Sequence, residues 1–332
     1  MNNGESTSQG DIKRRALFEL FSQNLSYVKQ HPNVRIRPDF DEGFICPICF
    51  KMFDRNSLSK EYDDYLTLED VPPQALGGKV CTLTCKVCNN SAGTQLESHL
   101  KNKLRADLFL AGDSDIEMDA RFRPNNAVDL AATVKLTSER GINIKYDPAR
   151  SNPKELEKLG DLEEARSISS VNLRFHLGYN SRRSKIALLR AAYLKAFSML
   201  GYGFLINGNL VKVRHQIQHP TEELLPSFGI TRADFPDSTI GVSVIYEPVE
   251  LQSFLVVFDL IIRDKKCRYG VLLPGPTEPG IGIYNRIAEL QQREKRTPVE
   301  HKIHVIPEYD YLRDPNAAFA SHDYWINLRD SQ

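Results

Sequence analysis

The chain lacks any apolar run long enough to cross a membrane. Its most apolar stretch, Phe254 to Ile262, is far too short and is interrupted by Asp259. Met1 to Gly10 is polar and rich in Ser and Asn, with no apolar stretch of signal-peptide type. Net charge is missing too, since 43 basic residues balance 43 acidic ones. Whole-chain charge therefore neither indicates nor excludes a nucleic-acid partner; only a local patch could do that. There is no internal repeat, no Ser/His/Asp arrangement and no full phosphate-loop pattern, because Gly280-Ile281-Gly282 is only a fragment of one. His215 and His219 are four apart, but Pro220 follows and the context does not read as helical. His301 and His304 lack acidic partners of the metalloprotease type. Cysteine is scarce, with six in the chain. Without a secretory segment they indicate a reducing compartment, and a cytoplasmic protein is expected.

Four of those cysteines are paired. Phe44-Ile45-Cys46-Pro47-Ile48-Cys49 and Leu83-Thr84-Cys85-Lys86-Val87-Cys88-Asn89 each hold a Cys-X-X-Cys. A two-residue gap lets both thiolates of one turn face a single ion, and two such turns complete a tetrahedral zinc site. Cys46, Cys49, Cys85 and Cys88 are the expected ligands, with Cys81 near enough in sequence to substitute for one. Cys81 and Cys267 otherwise read as small buried hydrophobes.

At 332 residues, 41% hydrophobic and 26% charged, the chain has material for two globular domains. Residues 1–40 read as a polar tail and a helix, with Ile12, Ala16, Leu17, Leu20, Phe21, Leu25 and Val28 at helical spacing. Residues 41–110 read as the zinc module: a strand at Tyr65 to Leu68, a turn at Gly77-Gly78, a returning strand at Val80 to Thr84 and a helix over Asn90 to Leu104. Residues 111–126 are polar and read as a linker. Residues 127–332 read as a larger mixed α+β domain. It has a hairpin at Ala132 to Thr137 and Ile142 to Tyr146, and a long helix at Ser184 to Leu200 capped by Gly201. A second hairpin is expected around Asn207-Gly208. One sheet is expected from Thr239 to Tyr246, Phe254 to Arg263 and Arg268 to Leu273. A Pro/Gly loop at Pro274 to Gly280, a helix at Tyr284 to Arg293 and a strand at Ile303 to Ile306 follow.

The segment Leu66-Thr67-Leu68-Glu69-Asp70-Val71-Pro72-Pro73, then Gly77-Gly78, the second knuckle and Asn89, resembles the HNH endonuclease family. Within it the likeness is to the zinc-stabilised branch, where two Cys-X-X-Cys pairs clamp a treble-clef, ββα-metal fold. The resemblance covers residues 44 to 104. It implies metal-dependent hydrolysis of DNA or RNA phosphodiesters, as in restriction or phage defence. Glu69, Asp70 and Asn89 would face a catalytic Mg²⁺ or Mn²⁺ beside the structural zinc. The chain departs from the pattern where it matters most. The His that activates water is here Asp70, and the motif's middle Asn has no counterpart, Cys81 lying near its place. An ordinary Asp, with a pKa of about 3.9, is a weaker base than His at about 6.5. Neighbouring charge from Glu69 would raise it, or both carboxylates would bind the ion.

The same residues support a rival reading, a catalytically silent zinc module that binds nucleic acid or a protein partner. Glu69-Asp70 suits a polar turn, and Asn89 suits a helix cap. His99 falls in the helix after the second knuckle and reads as surface or core. Residues 41–110 carry slightly more acid than base, with Lys101, Lys103 and Arg105 gathered at one helix end. Arg182, Arg183, Lys185, Arg190 and Lys195 read as the charged outer face of the long helix.

Overall fold

The computed structural model describes residues 8–37, 40–139, 141–276, 282–292 and 301–323. Two compact units share the chain: Met1–Glu97 with Lys185–Gln332, and Ser98–Ser184. Most of the Pro/Gly loop expected at Pro274 to Gly280, most of Gly280-Ile281-Gly282 and most of the expected polar tail lie outside the described residues.

In the first unit, helix α1 spans Gln9–Lys29. Ser8 caps it, its hydroxyl accepting from the Asp11 N–H at 3.2 Å, which satisfies a donor left free at a helix start. Phe18, Phe21, Leu25 and Val28 recur at spacings of three and four, so they form one buried stripe. Two short strands follow, β1 (Phe44–Ile45) and β2 (Met52–Phe53), then an antiparallel hairpin of β3 (Leu66–Val71) and β4 (Lys79–Cys85), and helix α2 (Lys86–Ala92).

The second unit contains α3 (Ser98–Leu110), β5 (Glu117–Pro124), β6 (Leu130–Leu136), β7 (Ile142–Tyr146), α4 (Pro153–Glu164) and β8 (Val171–Phe175). Its strands form one antiparallel sheet in the order β7-β6-β5-β8. Val128, Leu130 and Leu159, with Phe122, Leu156 and Leu162 against them, supply a small core. The polar stretch 111–126 is therefore not a linker, because β5 runs through it as an inner strand bonded on both sides. Its alternation of polar and apolar residues is that of a half-buried strand.

The chain returns to the first unit along α5 (Ser181–Leu205) and α6 (Val211–Gln218). A five-stranded antiparallel sheet follows, built from β9 (Ile230–Arg232), β10 (Gly241–Glu247), β11 (Ser253–Ile262), β12 (Lys265–Pro274) and, after α7 (Gly282–Gln292), β13 (Lys302–Val305). Its order is β13-β10-β11-β12-β9, so the three strands expected to share a sheet do so. Nine of the ten residues of β11 are at least partly buried, as for a central strand covered on both faces.

Two sequence expectations fail around α5. Gly201 does not end the helix; the chain kinks there at φ 64° and resumes helical form to Leu205. Asn24, wholly buried on α1, occupies the space beneath the kink and accepts from the Tyr202 N–H at 2.8 Å. A Cβ at Gly201 would sit 2.2 Å from the Asn24 Oδ1, so both the positive φ and the close approach require glycine. Asn207-Gly208 is not a hairpin turn. Asn207 caps a short 3₁₀ turn leading into α6, accepting from the Asn209 N–H at 3.0 Å and donating to the Pro274 carbonyl at 2.9 Å. Side-chain capping thus took the place of the positive φ angles that a tight hairpin would need.

The segment expected to stand alone as a zinc module is packed into this first unit. Phe21 stacks on Phe197 with ring centroids 4.8 Å apart and meets Phe44 edge-on at 5.8 Å. The Tyr202 hydroxyl donates to the Ile45 carbonyl at 3.0 Å and accepts from its N–H at 2.8 Å. Tyr193 donates to the Pro47 carbonyl at 2.9 Å. The expected boundary between 41–110 and 127–332 is corrected accordingly, since α5 pins the first knuckle in place.

Candidate metal centre

The first knuckle is the turn between β1 and β2. Cys46 N–H donates to the Lys51 carbonyl and Phe50 N–H to the Cys46 carbonyl, both at 2.9 Å. Phe50 takes a positive φ of 60° to close that turn. The second knuckle spans the end of β4 and the first turn of α2. Cys85 pairs with Leu66, and Cys88 lies one turn into the helix. The Asp64 carboxylate accepts from the Val87 N–H at 3.1 Å, and the Lys86 N–H donates to the Tyr65 carbonyl at 2.9 Å, tying the helix start to the approach to β3.

Cys46, Cys49, Cys85 and Cys88 converge, with all four sulfurs within 4.8 Å of one another. Cys49 and Cys85 Sγ are 3.8 Å apart. A tetrahedral zinc with Zn–S bonds of about 2.3 Å has ligand edges of about 3.8 Å, so the spacing fits such an ion. The four thiols share one hydrogen-bonded cluster: bonds from Cys46, Cys85 and Cys88 pull the Cys49 thiol far below its ordinary pKa, while burial pushes Cys46 up and the neighbouring thiols raise Cys85. The four residues could thus hold a metal such as zinc, which would take all four as thiolates. Cys81 lies outside this group, and burial pushes its thiol up. Cys267 is buried in the core, as expected.

The three residues expected to face a second cation have other arrangements. Glu69 and Asp70 sit at a bulge in the β3–β4 pairing, where Glu69 opposes Thr82 and Asp70 opposes Val80, leaving Cys81 as the extra residue. Glu69 is 2% exposed. Its Oε1 accepts from Arg190 at 2.8 Å, and its Oε2 accepts from Arg190 at 2.9 Å and from the Thr84 hydroxyl at 2.7 Å. This is a bidentate, charge-assisted pair that uses both carboxylate oxygens. Glu97 adds a contact at 3.4 Å to the same guanidinium. Burial opposes the charge on Arg190, but the carboxylates outweigh it and hold its pKa above the ordinary value. Burial in turn pushes the Glu97 carboxyl up.

Asp70 is partly exposed, and burial, aided by the charge of Glu69, raises its pKa. Asn89 turns its amide onto β3, donating to Thr67 Oγ1 at 2.9 Å and to the Leu68 carbonyl at 3.3 Å. It locks helix to hairpin instead of capping. A hard cation prefers several free oxygen ligands. Glu69 is occupied, so the three residues as arranged do not supply the acidic pair expected to hold Mg²⁺ or Mn²⁺.

Arg190 is the residue that sequence reading misplaced. Grouped with a charged outer face, it is 4% exposed. Its position carried the signal: Arg190 falls inside an unbroken buried run, Ile186 to Leu194, in a helix that is otherwise apolar there on every side. His99, in the second unit, accepts from the Asn180 N–H at 3.1 Å. Comparison with family models, curated proteins and solved structures returned no match.

Proposed function

We propose that the Cys₄ module is a zinc-held, treble-clef ββα framework of HNH type that binds nucleic acid without cutting it. The observation that carries this reading is the engagement of Glu69 by Arg190 and Thr84, which turns the motif's acidic residue into a structural ion pair. Support for a nucleic-acid partner comes from a groove of about 1050 Å³ beside α1, lined by Arg15, Lys60, Asn56 and Tyr62 together with Asp11 and Glu61, where Arg14 is paired with Asp11 and Arg55 with Glu19 and Glu42. Cations beside an exposed aromatic ring suit phosphate neutralisation with base stacking. Four cysteines kept as thiolates suit a reducing compartment, which supports the reading of a cytoplasmic protein. No helix among the described residues is long and apolar enough to cross a membrane.

Metal-dependent hydrolysis of DNA or RNA, as in restriction or phage defence, is the second reading. It is favoured by Asp70, which stands in the place of the family's His with a raised pKa. One experiment separates the two. The full chain is incubated with duplex DNA, single-stranded DNA and RNA, with Mg²⁺ or Mn²⁺, and binding and cleavage are followed together. Binding without cleavage is expected, weakening with salt. Arg15→Glu and Lys60→Glu should weaken it on all sequences alike and flatten the salt dependence. Cleavage by the wild type that Asp70→Ala abolishes would establish the hydrolase instead. Absence of binding to every nucleic acid would leave a protein partner for the module.

A further inference from the structure

The geometry points to a second metal site, remote in sequence from the four cysteines, formed by His215, His219 and Glu222 at the end of α6. One donor atom from each of the three lies within 4.8 Å of the others, and all three side chains are exposed to solvent. The segment 215–219 keeps helical hydrogen bonding despite Pro220, because the His219 N–H donates to the His215 carbonyl at 2.9 Å. The two imidazoles therefore project from one face, one turn apart, with ring centroids separated by 4.5 Å. Glu222 is fixed in turn, its N–H donating to the His219 carbonyl at 3.1 Å.

The loop carrying these ligands is built from beneath by Gln216, which is fully buried. Its amide nitrogen donates to the carbonyls of His219 at 3.1 Å and Glu222 at 2.9 Å. Its amide oxygen accepts from the N–H groups of Leu224 at 3.1 Å and Leu225 at 3.3 Å. Gln218 next to it donates to the Ile48 carbonyl, fastening the helix end to the first knuckle. Ligand spacing is thus set by backbone that a buried side chain holds, and a preformed site binds metal without a large ordering cost.

His219 Nδ1 and Glu222 Oε1 are 3.5 Å apart. That is longer than the roughly 2.7–2.9 Å of a strong charge-assisted hydrogen bond. It is close to the edge, about 3.4 Å, between nitrogen and oxygen ligands bound at about 2.1 Å on a tetrahedral ion. Two imidazoles and one carboxylate select a borderline transition ion, Zn²⁺, Co²⁺ or Ni²⁺, over Mg²⁺ or Ca²⁺. Three protein ligands leave the fourth position to water, so the site is open where the Cys₄ group is closed.

Co²⁺ titration of the full chain tests this. Thiolate ligation gives a charge-transfer absorption that a nitrogen and oxygen site lacks, so the two sites are read separately in one protein. Two equivalents are expected in wild type from which bound metal has first been removed by chelator and dialysis. His219→Ala, His215→Ala and Glu222→Gln should each abolish the second equivalent and leave the thiolate band unchanged. Cys85→Ser should remove the band; the His variants keep their test whether or not it does. Thermal melting supplies an independent reading: Ni²⁺ should raise the melting temperature of the wild type but not of His219→Ala. Equal metal uptake by wild type and all three variants, or the same Ni²⁺ shift in His219→Ala, would overturn the site.

Discussion

Arg190→Met tests the central claim about Glu69. The substitution keeps the length of the apolar stem on α5 and deletes the guanidinium. Glu69 would be left 2% exposed with only the Thr84 hydroxyl as a donor. Deleting one member of a buried, hydrogen-bonded ion pair costs about 3–5 kcal/mol, because the remaining charge is uncompensated. The upper part of that range is expected here. Two guanidinium bonds, at 2.8 and 2.9 Å, disappear together, and Glu97 loses its cation as well. Glu69→Gln should cost less, because Arg190 keeps Glu97 at 3.4 Å. The double variant Glu69→Gln with Arg190→Met removes both charges, and should be more stable than Arg190→Met alone. Urea unfolding followed by far-ultraviolet circular dichroism, at fixed zinc, gives the three differences. Arg190→Met within about 1 kcal/mol of wild type, or a double variant whose loss is the sum of the singles, would refute the pair as the fate of Glu69.

Other outcomes follow from the same structure. Cys85→Ser should lose the bound metal, and chelation of the wild type should destabilise α5 along with the knuckles, because Tyr193 and Tyr202 bond the first knuckle's backbone; hydrogen exchange on 186–205 measures it. Asp70 has a raised folded pKa, so the native state binds more protons than the unfolded chain above the ordinary value of 3.8. The Asp70 contribution should therefore fall as pH rises through that window, so Asp70→Asn should melt higher than wild type at neutral pH, with the difference vanishing at pH 3. Gly78→Ala should prevent the β3–β4 hairpin from closing, because a Cβ there would lie 1.4 Å from the Pro72 carbonyl oxygen; loss of bound metal from the variant, by elemental analysis, checks it. Gly203→Ala should destabilise the end of α5 in the same way, its Cβ falling 1.9 Å from the Ala318 carbonyl oxygen, without loss of metal.

Much of the local structure was legible in the chain, because it depends on neighbours. The stripe on α1, the β3–β4 hairpin around Gly77-Gly78, the two knuckles and the inner strands of the large sheet all follow from short-range spacing. Convergence of the four cysteines was expected from the paired spacing, but it joins knuckles 36 positions apart, the first held by Tyr193 and Tyr202 of α5. Three features depended on residues far apart. Strand β5 was hidden in a polar stretch because its partners supply its burial. The 127–332 segment was divided, because α5 buries its apolar face against α1 and the first knuckle. The role of Glu69 was decided 121 positions away, at Arg190. A carboxylate before a Pro-Pro turn reads alike whether it meets a cation, water or an arginine. Only the folded chain chooses among them, because the energy of a buried charge is set by the partner that tertiary packing brings to it.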